Sequence, residues 1–407
     1  MNRSAWILIL AAAALAPVWA ASEHSGHDAP RDAQRAWEKS LARPALAVGV
    51  ASDASGRLWR AQVENGQVRI SRSDDAGKTF TPAVAVNREP ERIAADGENR
   101  PKLAFGKNGE LYVSWTRSLD QPYSGHVRFA RSLDDGRSFS PPITVNDNTE
   151  IISHRFDSLL VDGRGRVWLT WLDKRDASAA KQRGQAYTGA AVYYAVSDDQ
   201  GASFTPNRRL AEHSCECCRI ALARDIDGTP VAFWRHVFDP NIRDHALARL
   251  DDTAALRRVS HEQWAVDACP HHGPALSISA DGVMHLTWYS GAEKLRGLYY
   301  AFSRDRGQTF SAPLAFGNPD AQAGHPQVLA LGTRVSLVWK EFDGKQTVIR
   351  AQQSRDGGHT FAKPVTLATS ASASDHPQLV SNGRHVLLSW NSVAEGHRLV
   401  PLPGDRL

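Results

Sequence analysis

Cysteine and histidine lie together in two short segments near the middle of the chain. All four cysteines are found there, in 215–218 (CECC) and at the start of 269–272 (CPHH). Thiolate and imidazole are ligands that soft or borderline ions such as Cu(I) and Zn(II) prefer. The spacing therefore predicts either a copper or zinc site or a thiol redox centre. In an oxidising compartment the alternative is a disulfide between Cys269 and one of Cys215, Cys217 or Cys218.

Two further histidines stand in a repeated tripeptide, His-Pro-Gln, at His325 and His376. A single histidine is usually a hydrogen-bonded polar residue rather than a ligand. The repetition in register favours a shared role, although a histidine that caps the entrance of each strand would give the same pattern. The full set of predicted metal ligands is Cys215, Cys217, Cys218, Cys269, His271, His272, His325 and His376.

Three arginines occupy comparable positions earlier in the chain, at Arg100, Arg155 and Arg219. The guanidinium group presents a planar fork of donors that suits a carboxylate or a phosphate. We therefore predict that the three arginines hold a small anionic ligand. The alternative is that they pair with nearby acids such as Asp157.

The elements that must position these residues are marked by an eight-residue repeat, Ser-x-Asp-x-Gly-x-Thr/Ser-Phe. Its five copies begin at Ser73, Ser132, Ser197, Ser303 and Ser354. In each copy Asp is placed to accept hydrogen bonds from backbone amides, Gly to adopt a positive φ, and Phe to return to the core. The repeat is predicted to be a structural hairpin turn, since no reaction needs five equivalent carboxylates.

A second repeat runs in step with these turns. Each unit reads apolar strand, glycine turn, apolar strand, and six of the seven units end in tryptophan. The turn glycines recur about every fifty to sixty residues, a spacing that suits four short strands and their turns. These glycines are Gly56, Gly109, Gly165, Gly228, Gly282, Gly332 and Gly383. The pattern predicts an all-β fold, a β-propeller of four-stranded blades, with seven blades favoured and six as the alternative.

In a propeller the first strand of each blade lines the central axis, so the residues just before these strands converge. The arginines, cysteines and histidines described above occupy such positions. We therefore expect them to share one pocket at one end of the channel.

The eight-residue repeats are Asp boxes, and the chain resembles the sialidase-like (BNR repeat) β-propellers over nearly its whole length. The resemblance implies an alternative function, exo-sialidase-type glycoside hydrolysis, with an arginine triad for the sugar carboxylate, a general acid, and a tyrosine–glutamate nucleophile pair. The triad would be Arg100, Arg155 and Arg219, the acid Asp157 or Asp173, and the pair Tyr289 with Glu341. The seven units and the missing Arg-Ile-Pro signature depart from that family.

The first twenty residues have the features of a secretory signal, with a basic start at Arg3 and an apolar run from Trp6 to Leu15. We predict a signal peptide at 1–20, a polar leader with a short helix at 21–43 and the propeller at 44–407. The mature protein is expected in the periplasm or secreted, as a monomer with no membrane span. Its formal charge of +4 comes from scattered residues, which argues against nucleic-acid binding.

The sequence therefore favours an exported, non-hydrolytic propeller that binds copper or zinc, or handles thiol redox, through its Cys/His cluster. One alternative is the exo-sialidase-type hydrolase. The other is a scaffold that binds a protein or a cell-envelope glycan.

Overall fold

The chain folds into a ring of seven antiparallel sheets. The structure is a computed structural model that describes residues 44–250 and 255–404. Within these ranges six sheets have four strands and the last has three, and each sheet is built from one continuous segment. The all-β fold and the favoured count of seven blades are confirmed. No helix in the described part of the chain is both long enough and apolar enough to cross a bilayer.

The strands follow the chain from blade to blade, and within each blade the first strand is the innermost. Blades 1 to 3 contain β1 Gly49–Ser52, β2 Leu58–Glu64, β3 Gln67–Ser73, β4 Val84–Ala85, β5 Lys102–Phe105, β6 Leu111–Ser118, β7 Gly125–Ser132, β8 Ile143–Thr144, β9 His154–Val161, β10 Val167–Asp173, β11 Ala190–Ser197 and β12 Arg208–Ser214. Blades 4 to 7 contain β13 Ala221–Arg224, β14 Pro230–Arg235, β15 His245–Arg249, β16 Arg257–Arg258, β17 Ala275–Ile278, β18 Met284–Ser290, β19 Gly297–Ser303, β20 Leu314–Phe316, β21 Gly324–Leu331, β22 Arg334–Phe342, β23 Thr347–Ser354, β24 Val365–Ser370, β25 Gln378–Ser381, β26 Val386–Ser392 and β27 Gly396–Pro401.

The apolar core lies between the blades. Every residue of β10, β14 and β26 is buried, because both faces of these second strands are covered by neighbouring blades. This explains why the second strands read as nearly continuous apolar runs. Their tryptophans are among the largest fully buried side chains of the described residues, at Trp115, Trp171, Trp234, Trp288, Trp339 and Trp390.

The Asp boxes join the third and fourth strands of their blades. In the box of blade 3, Ser197 Oγ donates to Asp199 Oδ1 at 2.7 Å and accepts from the Gly201 amide at 2.8 Å. Asp199 also accepts from the Ser203 amide and hydroxyl at 3.0 and 2.6 Å. The same bonds recur around Asp75, Asp134, Asp305 and Asp356. The predicted hairpin role of the boxes is confirmed.

Each box also touches the preceding blade. Gly201 adopts φ +79°, and a Cβ there would come within 2.7 Å of the Phe129 ring of blade 2. The box phenylalanine Phe204 packs edge-on against the same ring, with the centroids 5.0 Å apart. The box is therefore a contact between blades as well as a turn. In blade 4 the sequence has only an eroded copy of the box, at 249–252 (RLDD), and its last two residues lie outside the described ranges.

The ring closes where β1 meets β25. The side-chain amide of Gln378 accepts from the Val50 amide at 3.2 Å and donates to the Val50 carbonyl at 2.9 Å. Close by, Arg100 donates to the Val48 carbonyl at 2.8 Å, and Asp375 accepts from the Val48 amide at 3.3 Å. Side chains thus supply the polar bonds between the first and last blades.

Within the described residues one α-helix interrupts the all-β pattern. Helix α1, Arg175–Gln182, lies in the long connection between β10 and β11, which the sequence predicts to be a long loop. Its first residue is held by Asp173, which accepts from the Arg175 backbone amide and from its guanidinium group at 2.9 and 2.8 Å.

Candidate functional site

Three thiols meet in the segment that carries the chain from β12 at the rim of blade 3 to β13 at the axis. The Cys215 sulfur lies 3.8 Å from those of Cys217 and Cys218, and the latter two are 4.0 Å apart. All three side chains are buried. Because β12 ends at Ser214 and β13 begins at Ala221, six residues must cross from rim to axis, and this tight crossing gathers the thiols.

The surroundings of the thiols combine apolar walls with cationic groups. The sulfurs belong to the apolar cluster between blades 3 and 4, together with Phe156 and Trp234. Arg243 Nη1 donates to the Cys215 sulfur at 3.3 Å. The Cys215 amide donates to the carbonyl of Arg235 at 3.0 Å, which fixes the segment to β14.

This environment separates the acidities of the thiols. Hydrogen bonds from Cys217 and Cys218, aided by the charges of Arg235 and Arg243, hold the pKa of Cys215 well below its ordinary value. The hydrogen bond to Cys215 raises the pKa of Cys217, and burial raises that of Cys218. Cys215 is therefore the most acidic of the three buried thiols, with Cys217 and Cys218 as its hydrogen-bond partners.

Cys269 approaches this cluster from the segment between β16 and β17, the first strand of the next blade. A segment that leads into the first strand of a blade is called an entry loop below. It is exposed, and its interaction with Cys217 lowers the pKa of its thiol. All four cysteines are free in the structure. The alternative disulfide between Cys269 and one of the other three stays a prediction.

A second polar group lies at the axis. Potential ligand atoms of Glu98, His325 and His376 all fall within 4.8 Å of one another. The His325 and His376 rings stack with centroids 3.3 Å apart, and His272 follows at 4.4 Å from His325. His325 Nδ1 lies 3.1 Å from Glu98 Oε1.

Arg219 anchors the carboxylate of this group. Its Nη1 donates to both oxygens of Glu98, at 2.9 and 3.0 Å, and its backbone amide adds a third bond at 3.2 Å. Burial opposes ionisation of Glu98, but the charge of Arg219 and the bond with His325 outweigh it and hold the pKa of Glu98 well below its usual range. A buried carboxylate thus stands beside stacked imidazoles.

The predicted ligands consequently divide into two groups instead of one mixed cluster. Cys215, Cys217 and Cys218 form the first, with Cys269 at its edge. His325 and His376 form the second, with His272 stacked on it. The exposed His271 is in neither of these two groups.

The three predicted clamp arginines have different partners. Arg100 bonds to the Val48 and His376 carbonyls at 2.8 and 3.1 Å and pairs with Asp375 at 3.2 Å, at the junction of the first and last blades. Arg155 is buried beside the carboxylate of Asp96 and the thiol of Cys217.

Arg219 is bound to Glu98. The carboxylate of Asp157 accepts from the hydroxyls of Ser114 and Thr116, at 2.6 and 3.0 Å. A shared anion-holding role for the three arginines stays a prediction.

The predicted acid Asp173 and the predicted pair Tyr289 and Glu341 also contact other residues of the protein. Asp173 is fully buried and accepts from Trp171 Nε1 at 2.8 Å and from Arg175. Glu341 accepts from Trp339 Nε1 at 2.7 Å. Tyr289 stacks on His272 with the centroids 4.2 Å apart.

Tyr289 and Glu341 nevertheless line the same cavity, of about 290 Å³, together with Lys340 and the axial histidines His272 and His325. The cavity therefore reaches the histidine group from outside.

Sequence reasoning missed Glu98 and Arg243. Glu98 lies two residues before Arg100, in the same entry loop, so a search for carboxylates next to the aligned entry positions would have found it. Arg243 begins no strand and follows no repeat, and only the fold brings it to Cys215.

The comparisons with known proteins define the fold. No protein-family model and no curated protein matches the chain. Among solved structures, a Dyadobacter fermentans protein of unknown function matches with TM-score 0.52 and 18% identity over 78% of this chain and 96% of its own.

A Hadza microbial sialidase matches with TM-score 0.52 and 15% identity, over 84% of this chain and 75% of the sialidase. A Burkholderia pseudomallei lectin matches with TM-score 0.55 and 11% identity over 87% and 97%. The resemblance to sialidase-like propellers is confirmed for the fold.

Proposed function

We propose that this protein binds Cu(I) or Zn(II) through the thiols of Cys215, Cys217 and Cys218, with Cys269 as a fourth ligand, and that it is not a hydrolase. The observation that carries the proposal is the spacing of the three buried sulfurs, 3.8 to 4.0 Å. Thiolates about 2.3 Å from one tetrahedral ion lie roughly 3.8 Å apart. The sulfurs therefore stand at the distances that a single ion requires.

The charges around the cluster support the same function. Three or four thiolates around a Cu(I) or Zn(II) ion leave a net negative charge, which is costly to bury unless cations compensate it. Arg243 touches Cys215, and the charges of Arg235 and Arg155 also act on the thiols. An ion would replace the protons that Cys217 and Cys218 carry at neutral pH.

The proposed location is outside the cytoplasm, in the periplasm or secreted, on the evidence of the segment 1–20. Buried free thiols in such a compartment are exposed to oxidants. A bound ion would keep Cys215, Cys217 and Cys218 reduced, because the sulfur lone pairs would be held by the metal.

Elemental analysis with thiol titration tests the proposal. Protein isolated under reducing, anaerobic conditions and reconstituted with Cu(I) or Zn(II) is expected to hold a thiol-bound ion that Cys217→Ser removes. Asp199→Asn, in the box on the opposite face, is the control and is expected to keep the ion. Loading that is the same in the wild type and Cys217→Ser would overturn the assignment, as would a disulfide among the four cysteines in protein from its own compartment.

A second candidate function, recognition or cleavage of an anionic glycan, is favoured by the cavity beside the axis. It contains the predicted pair Tyr289 and Glu341 and the cation Lys340, and one structural neighbour is named a sialidase. A fluorogenic sialoside tests it. Turnover that Tyr289→Phe abolishes would support hydrolysis, whereas no turnover by well-folded protein rejects it.

A further inference from the structure

Glu98, His325 and His376 come from three separate blades and meet at the axis. Glu98 precedes β5, His325 is the second residue of β21 and His376 precedes β25. Their potential ligand atoms lie within 4.8 Å of one another. From this group we infer a second metal site, separate from the thiols, which takes a divalent first-row transition cation such as Zn(II) or Cu(II).

Two histidine nitrogens at the axis are unsatisfied. Nδ1 of His376 and Nδ1 of His272 are buried and have no hydrogen-bond partner within the described residues. A buried polar atom without a partner is destabilising. A cation bound to His376 would use a lone pair that the protein leaves unused.

The stacked rings limit the charge that the two histidines can carry. The centroids of His325 and His376 are 3.3 Å apart, a separation at which two imidazolium cations would repel each other. At least one of the rings is therefore a neutral imidazole, the form that binds metal ions.

The ligand set identifies the class of ion. Two imidazoles and one carboxylate with open positions suit Zn(II), Cu(II) or Fe(II), whereas the three thiols suit a softer ion. Arg219 holds Glu98 by two bonds to its oxygens, the kind of outer contact that orients a metal-binding carboxylate.

The backbone also fits this role. His325 adopts φ +54°, a left-handed conformation that is strained for a non-glycine residue. Glycines lie directly against the group, since a Cβ at Gly97 would be 2.2 Å from His376 Nε2 and one at Gly273 would be 2.3 Å from Glu98 Oε2. Larger residues at Gly97 or Gly273 would displace His376 or Glu98.

The cavity of about 290 Å³ lined by His272, His325, Tyr289 and Lys340 gives the ion a route to the group from solvent. It also leaves room for an exogenous ligand on the open side of the ion.

Titration of a thiol-free variant with Zn(II) and Cu(II) tests the inference. With all four cysteines replaced by serine, the chain is expected to bind one ion, with imidazole nitrogen couplings in the Cu(II) EPR spectrum. His376→Gln in that background is expected to weaken binding at least tenfold. His285→Gln, a buried histidine that contacts Tyr300 instead, is the matched control and is expected to leave binding unchanged.

The inference is overturned if the folded thiol-free variant binds neither ion, or if His376→Gln and His285→Gln bind equally. If removal of the cysteines prevents folding, the stoichiometry of the otherwise wild-type chain decides. Two Zn(II) ions in the wild type and one in His376→Gln support a separate site, and equal numbers reject it. Because Cys217→Ser removes only the thiol-bound ion, failure of one site is distinguishable from failure of the other.

Discussion

The two faces of the propeller are built in opposite ways. The Asp-box turns between third and fourth strands lie on one face, the box face, and the segments that lead into the first strand of each blade lie on the other, the entry face. On the box face five near-identical turns each close by bonds within eight residues, such as Ser203 to Asp199. On the entry face the important bonds join distant parts of the chain, with Arg219 and Glu98 121 residues apart and His325 and Glu98 227 apart. The repeated turns thus build the propeller, whereas the candidate site is formed by residues of the entry loops that differ from blade to blade.

The same contrast appears in the charges. The box carboxylates are half-buried or exposed and are bonded to their own turns, as at Asp75 and Asp305. The entry carboxylates Glu98 and Asp375 are buried and depend on arginines from other blades. Changes on the entry face should therefore affect both stability and binding, whereas changes on the box face should affect stability alone.

The largest effect is expected from Arg219→Met. It leaves the buried carboxylate of Glu98 without its cation, which should lower the free energy of unfolding by about 3 to 5 kcal/mol and impair the axial metal site. Urea denaturation measures the loss. The double variant Glu98→Gln/Arg219→Met is expected to recover part of the stability but not the binding, and a single variant as stable as the wild type would contradict the prediction.

A smaller effect is expected from Gly201→Ala on the box face. The new Cβ meets the Phe129 ring at 2.7 Å in a backbone with φ +79°, so strain and overpacking together should cost about 2 kcal/mol. Gly109→Ala is the matched control, because φ there is +88° with nothing within 4 Å. If the two variants lose equal stability, the contact between box and blade contributes nothing. Metal content should be unchanged in both.

The smallest effect is a change in stability on acidification. Hydrogen bonds from Thr79 and Ser138 lower the pKa values of Asp75 and Asp134 from 3.8 to about 2, and bonds from Thr309 do the same for Asp305. The unfolded state binds more protons in this window, so the contribution is present above about pH 4 and is lost as the pH falls towards 2.

Urea midpoints at pH 5 and pH 3 measure this loss. The triple variant Asp75→Asn/Asp134→Asn/Asp305→Asn should be less stable at pH 5 and should lose less on acidification than the wild type. Equal pH dependence in the two proteins would show that the boxes are not responsible.

The fold was predictable because its signals are local and repeated. A box turn needs only Ser, Asp, Gly and Phe at fixed spacing. The glycine of the turn between the first two strands recurs once in each blade, so counting these glycines predicts the number of blades. Within blade 3, however, α1 has no such signal and was not predicted. Asp173 holds its start, and that contact depends on the position of the end of β10.

The site was predictable only in part. Strand alignment places Arg100, Arg219 and His376 near the axis but does not determine where long side chains point. Arg100 turns towards Asp375, and Arg219 reaches Glu98. For this reason the alignment anticipates one pocket, whereas the structure separates a thiol group from a histidine–carboxylate group.

The junction of β1 with β25 has a mechanical consequence. A single glutamine side chain, Gln378, imitates a strand edge by bonding to both the amide and the carbonyl of Val50, while every blade is held internally by its own backbone ladder. Under a force applied across the ring, β1 and β25 should separate first, while the backbone hydrogen bonds within each blade stay intact.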